Sequence, residues 1–230
     1  MGQSLLIMGA GPGLSASLAR LGAREGMTVA LGARNIDKLE ILARETGANL
    51  HQCDASKAKD VAQMFTDLDG TIGTPDMVVY NPSARVRGPI QDLDPEDTKK
   101  AIDITCYGAF LVAQQAAKRM RVKGHGSIFF TGASASIKGF ANSSVFAMGK
   151  FGLRGLAQAL ARELHPQNIH IGHFVIDGGI RADHRAERQD DGHDNMLDPD
   201  AIAESYLQFH RQHRSAWAWE IELRPWMEHF

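Results

Sequence analysis

The chain has 230 residues, enough for one α/β unit with its own core, and 25 Lys and Arg against 27 Asp and Glu give a net charge of −2. That balance argues against a polyanionic partner such as nucleic acid, and no apolar run approaches the length of a membrane span. Cys53 and Cys106 have neither metal-ligand spacing nor the number for a disulfide framework. No basic stretch precedes the first apolar run, and Leu6 stands where a myristoylation start needs Ser or Thr, so a cytoplasmic location is expected.

Short β-rich runs alternate with helical stretches from the first residues onward. Strands are predicted at Ser4–Met8, Thr28–Leu31, Asn49–Cys53, Met77–Tyr80, Ser127–Thr131 and Ile169–Ile176, all near-continuous apolar runs, as strands buried on both faces require. Between them, helical length and periodicity are found over Gly13–Glu25, Ile36–Thr46, Lys57–Leu68, Pro95–Val122 and Asn142–Leu164. A helix near Pro199–His213 and a strand near Glu220–Leu223 complete the pattern. Alternating βα units imply a doubly wound, Rossmann-type three-layer sandwich with a mostly parallel sheet of about seven strands, in one domain over residues 1–230. Residues Arg181–Asp198 are rich in charge and His, and a loop of that length is expected to be a substrate lid.

Gly9-Ala10-Gly11-Pro12-Gly13-Leu14 follows the first strand and opens the first helix. Glycines there permit a tight turn and close backbone approach, and a helix N-terminus favours pyrophosphate, so the segment reads as a dinucleotide site rather than an empty turn. The end of the second strand discriminates between cofactors. It reads Leu31-Gly32-Ala33-Arg34-Asn35, with no carboxylate for a ribose hydroxyl and with a guanidinium able to take a 2′-phosphate. NADP (as NADPH) is the expected cofactor, against the plain alternative that Arg34 is a surface arginine.

These residues and those that follow make the chain resemble the short-chain dehydrogenase/reductase family over nearly its whole length. Gly9 to Gly13 matches the family's Gly-x-x-x-Gly turn, with Ser15 where the last glycine usually stands. The resemblance places Asp54 and its neighbour Ala55 near adenine, and Asn81-Pro82-Ser83 where the family has Asn-Ala-Gly. It sets Asp177-Gly178-Gly179-Ile180 at the turn facing nicotinamide, where a Pro-Gly pair is usual. Gly9, Gly11, Pro12, Gly13, Leu14, Arg34, Asp54, Ala55, Asn81, Lys150, Gly179 and Ile180 are thus the candidate cofactor residues. In similar proteins the two long helices pair between subunits, which implies a homodimer or homotetramer.

The catalytic positions agree less well. The family uses a Ser to steady the substrate oxygen, a Tyr to move the proton, a Lys four residues later, and an Asn for a relay. Here Lys150 is kept, Ser134 lies twelve residues before Phe146, Phe146 replaces the Tyr, and Thr105 stands at the Asn position. Three explanations compete. Another group could supply the proton, from among Tyr107, Tyr80, Ser143 and Ser144. The small-molecule substrate could be an activated C=C bond rather than a carbonyl or alcohol, although the longer Tyr-to-Lys spacing of enoyl reductases is not met, its position being Ser143. Or the protein binds NADP(H) without turnover, as a sensor or subunit.

Other features carry less. Gly132-Ala133-Ser134-Ala135-Ser136 lacks the closing glycine of a hydrolase nucleophile elbow. His170 and His173 differ by three in a strand and so face opposite sides, which spoils joint metal ligation; His165, His184 and His193 complete no better set, and no metal is expected. An alternating pattern over Trp217–Leu223 fits an edge strand with a large buried face.

Overall fold

A computed structural model describes residues 2–182 and 185–227. Seven strands, β1 (Ser4–Met8), β2 (Thr28–Ala33), β3 (Asn49–Gln52), β4 (Met77–Tyr80), β5 (Gly126–Thr131), β6 (Ile169–Ile176) and β7 (Glu220–Leu223), form one sheet in the order β3-β2-β1-β4-β5-β6-β7. Every pairing is parallel, from Ser4 opposite Thr28 in β1–β2 to His173 opposite Glu220 in β6–β7. β1, β4, β5 and β6 are buried along their whole length, which is why they carry no polar alternation.

Helices α1 (Leu14–Arg24), α2 (Glu40–Thr46) and α7 (Pro199–His210) cover one face; α3 (Ala58–Asp69), α5 (Gly108–Lys123) and α6 (Ser144–Leu164) cover the other. The short α4 (Pro95–Ile102) precedes α5. Both α4 and α7 begin at an Asp-Pro pair. Asp94 accepts from the Asp97 amide at 2.8 Å and Asp198 from the Asp200 amide at 2.7 Å, while the proline fills a position that needs no donor. The predicted helix over Pro95–Val122 is continuous in path, but Asp103–Tyr107 is wound as a π-turn, which periodicity does not reveal.

Phe129 on β5 anchors the α7 face: its ring lies 5.5 Å from those of His170, Phe174 and Phe209 and 6.3 Å from Tyr206. His170 is stacked between Phe209 and Trp217, whereas His173 on the other face has its Nδ1 2.9 Å from Glu220. Trp219 packs against the α6 side, Ile221 and Leu223 against the α7 side, and Trp226 is largely exposed.

Because the chain runs outward in both directions from β1 and β4, a crevice opens beyond their C-terminal ends. Cutting Phe129 to Ala leaves a cavity among the rings of His170, Phe174, Tyr206 and Phe209 and should cost about 3–5 kcal/mol. Equilibrium urea unfolding measures this; a loss below about 1 kcal/mol would show that the ring cluster is not an anchor.

Candidate cofactor and active site

Gly9 and Gly13 both have positive φ, 80° and 86°, a region closed to most side chains. A Cβ on Gly9 would sit 2.7 Å from the Pro82 ring, so the β1 turn and the segment after β4 can meet only through glycine. Around Gly11 and Gly13 the opposite holds: a Cβ there would meet nothing within 4 Å, which leaves an open cradle beside the first turn of α1. No side chain caps that helix, so its leading amides face the cradle. Ser15 has a use of its own. Its hydroxyl donates to the Gly9 carbonyl at 3.2 Å and accepts from Asn81 Nδ2 at 2.8 Å, tying the first turn to the β4 end.

One side of the turn opens into a cleft of about 410 Å³ that brings together Gly9, Arg34, Asp54, Ala55 and Asn81. Asp54 is held in a tight local turn, accepting from the Ser56 amide at 3.1 Å and hydroxyl at 2.7 Å. Burial pulls its carboxyl up, but the Ser56 hydrogen bonds and the Lys57 and Arg34 charges outweigh that, and the net shift is downward. An open cradle at a helix N-terminus beside a cleft lined by Arg34 and Asp54 fits a dinucleotide.

The other side opens into a pocket of about 270 Å³ whose walls include Pro12, Gly13, Leu14, Asn81, Phe146 and Lys150. Lys150 is buried, and its amine donates to the Thr131 carbonyl at 2.6 Å. Burial first, and the nearby Arg85 charge second, push it down to about 7. Its nitrogen lies 5.8 Å from the centre of the Phe146 ring, and the Arg85 guanidinium lies over the same ring at 4.2 Å.

The candidate oxygen-binding serine, Ser134, is next to a residue of the pocket wall. β5 ends at Thr131, and Ala133 lines the pocket; Ser134 begins a tight turn over Ser134–Ser136 and is not on the pocket wall. Thr105 lies buried in the π-turn, where its hydroxyl accepts from the Ala84 amide at 3.1 Å; it packs against Gly149 and does not line the pocket. The alternative proton donors are no closer. Tyr80 is fully buried, donates to the Ile104 carbonyl and has its hydroxyl pKa raised by that burial; Tyr107 is half-exposed on the outer surface against Phe110. Neither Ser143 nor Ser144 lines the pocket.

The segment after β6 closes the far wall. Gly178 and Ile180 line the pocket, while Gly179 lies beneath the Arg188 guanidinium. Its two ends are tied together: Leu197 N–H donates to the Gly179 carbonyl and Arg181 N–H to the Leu197 carbonyl, each at 2.8 Å. Arg181 also pairs with Asp198 at 2.8 Å. Ala182, Arg185 and Arg188 of this loop also line the pocket, the two arginines belonging to a run that in sequence shows only its charge. His193 is a carbonyl acceptor for Trp226, and His184 lies outside the described residues. Among the described residues no three His, Cys, Asp or Glu side chains come together to hold a metal, and no helix is long and apolar enough to cross a membrane.

Comparison with known proteins agrees with this geometry. Residues 9–204 match the family model described as enoyl-(acyl carrier protein) reductase. Carbonyl reductase family member 4 of Xenopus laevis is 26% identical over 214 residues, 90% of each chain. A short-chain dehydrogenase structure from Rhodopseudomonas palustris superposes with a TM-score of 0.85 at 33% identity, covering 97% of this chain and 99% of that one. A metagenomic short-chain oxidoreductase in complex with NADP superposes at 0.84 with 25% identity over 97% of both chains. The chain belongs to the short-chain dehydrogenase/reductase family, a family of oxidoreductases that bind a nicotinamide cofactor.

The buried amine has a measurable consequence. Lys150 is neutral in the folded protein above about pH 7 but protonated in the unfolded chain up to about 10.5. Between those values the unfolded state binds the extra proton, so the Lys150 contribution to stability rises with pH across that window and is flat below it. In the protein without cofactor, Lys150→Met should remove a slope on the order of 1 kcal/mol per pH unit there. Urea unfolding of both proteins at pH 7.5 and 9.5 tests this; parallel pH dependences would show that the amine is not desolvated.

Proposed function

We propose that this protein is an NADP(H)-dependent oxidoreductase acting on a small-molecule carbonyl, alcohol or activated C=C bond, with Lys150 rather than a tyrosine as its proton-exchanging group. The observation that carries the reading is the fully buried Lys150 amine, with a pKa near 7, in a pocket continuous with the glycine cradle. The bound nicotinamide would supply or accept the hydride. Gly9, Gly11 and Gly13 would admit the pyrophosphate, Asp54 and Ala55 would flank the adenosine, and Arg34 would favour the 2′-phosphate. Negative charge developing on the substrate would meet Lys150 and Arg85, both beside the Phe146 ring. A group with a pKa near the working pH can both give and take a proton, and a positioned acid of this kind is typically worth about 10²- to 10⁴-fold in rate.

A second reading, a cofactor-binding protein without turnover, has Ala133 and Phe146 in its favour, since neither can bond a substrate oxygen. The two divide on NADPH absorbance followed against carbonyls, enones and alcohols. The proposal expects turnover that falls at least about 10²-fold in Lys150→Ala. Tight NADPH binding with no turnover, and activity created by Phe146→Tyr, would establish the second reading instead.

The cofactor preference is separately testable. Arg34→Ala should lower the NADPH-over-NADH affinity ratio about tenfold or more, read by fluorescence titration of each cofactor. An unchanged ratio would overturn the NADP assignment. We further propose a homodimer or homotetramer built on α5 and α6, whose exposed Phe110, Met148 and Phe151 suit an apolar contact.

A further inference from the structure

We infer that the pocket beside Phe146 selects a substrate bearing an oxyanion, a carboxylate or a phosphate, near its reacting carbon; this rests on the oxidoreductase reading above. Four guanidiniums, those of Arg85, Arg181, Arg185 and Arg188, line one small pocket, together with the Lys150 amine. Among the described residues no Asp or Glu is on its wall. Of the four, only Arg181 has a carboxylate partner among the described residues, Asp198 at 2.8 Å.

Such an arrangement is costly without a ligand. Burial and the charges of Arg87, Arg188 and Arg185 all act to lower the Arg85 pKa, so these cations are close enough to repel one another. Surface arginines ordinarily find carboxylates or spread into solvent. Here two separate chain segments, the stretch after β4 and the loop after β6, bring theirs to one opening. An oxyanion relieves the repulsion and accepts the paired N–H groups that a guanidinium offers.

The position also decides which end of the substrate is charged. The Arg85 guanidinium lies over the Phe146 ring, 4.2 Å from its centre and attracted to its face, and Phe146 stands beside Lys150. The guanidinium therefore borders the proposed reacting centre, in a pocket that Pro12, Gly13 and Leu14 of the cradle also line. A neutral ketone or a long apolar chain would leave three guanidiniums unpaired.

The test is calorimetric titration of the NADP⁺-loaded protein with matched pairs: levulinate against methyl levulinate, and dihydroxyacetone phosphate against dihydroxyacetone. The charged member of at least one pair should bind about tenfold or more tightly, by an advantage that shrinks with added salt. The arm that shows it separates carboxylate from phosphate. Arg185→Gln and Arg188→Gln together should remove most of that advantage while NADPH affinity stays within about twofold, and Arg185→Lys with Arg188→Lys should restore part of it. Equal binding of charged and neutral members overturns the inference. So does a loss of NADPH affinity in the Gln variants without loss of acid preference, which would assign these arginines to the cofactor. If the protein takes up no NADP(H), the oxidoreductase reading has failed, and the same pairs titrated without cofactor still decide whether the pocket selects oxyanions.

Discussion

The hydrogen bond from the Lys150 amine to the Thr131 carbonyl, 2.6 Å long and shielded from water, is the contact on which the site depends. It joins the first turns of α6 to the end of β5, and so fixes where the helix that carries Phe146 stands relative to the sheet. A lysine so placed can hold its ordinary protonated state only at a desolvation cost, and the lowered pKa is the compromise. The parallel sheet makes the burial unavoidable. Both of its faces are covered, so any polar group that reaches the C-terminal strand ends from α6 must pass through apolar packing.

Around that contact the departures from the family pattern form a set. The side chains of Ala133 and Phe146 offer the pocket no hydroxyl, and Thr105 is turned inward to the Ala84 amide. What the wall gains is positive charge, from Arg85 across the Phe146 ring and from the loop after β6. The cofactor side keeps its pattern and even reinforces it, since Ser15 uses its hydroxyl to link Gly9 with Asn81.

The order of strands and helices was legible because buried parallel strands must be apolar throughout and their helices must be amphipathic. Gly9, Arg34, Asp54 and Asn81 were legible for a similar reason, as each is tied to the end of a strand. For Ser134, spacing does not resolve a single residue: it begins the tight turn after β5, and its neighbour Ala133 is the one on the pocket wall. The π-turn at Thr105 was hidden because one extra residue per turn leaves the hydrophobic pattern almost intact. The arginine cluster was hidden by distance along the chain: Arg85 and Arg185 lie a hundred residues apart, and no local pattern predicts that two loops converge.

That convergence also bears on stability. Three guanidiniums without carboxylate partners among the described residues, in one pocket with a desolvated amine, raise the free energy of the folded state through repulsion. Nothing in the packing requires them there: the core is complete on both faces of the sheet without them, and Arg85 and Arg185 lie outside it. Asp198 shows that the loop can satisfy an arginine when structure is the only demand, as it does for Arg181. Among the described residues the other three have no such partner, an arrangement that the proposed oxyanion would complete, and a ligand that supplies the counter-charge stabilises the folded protein in proportion to its occupancy.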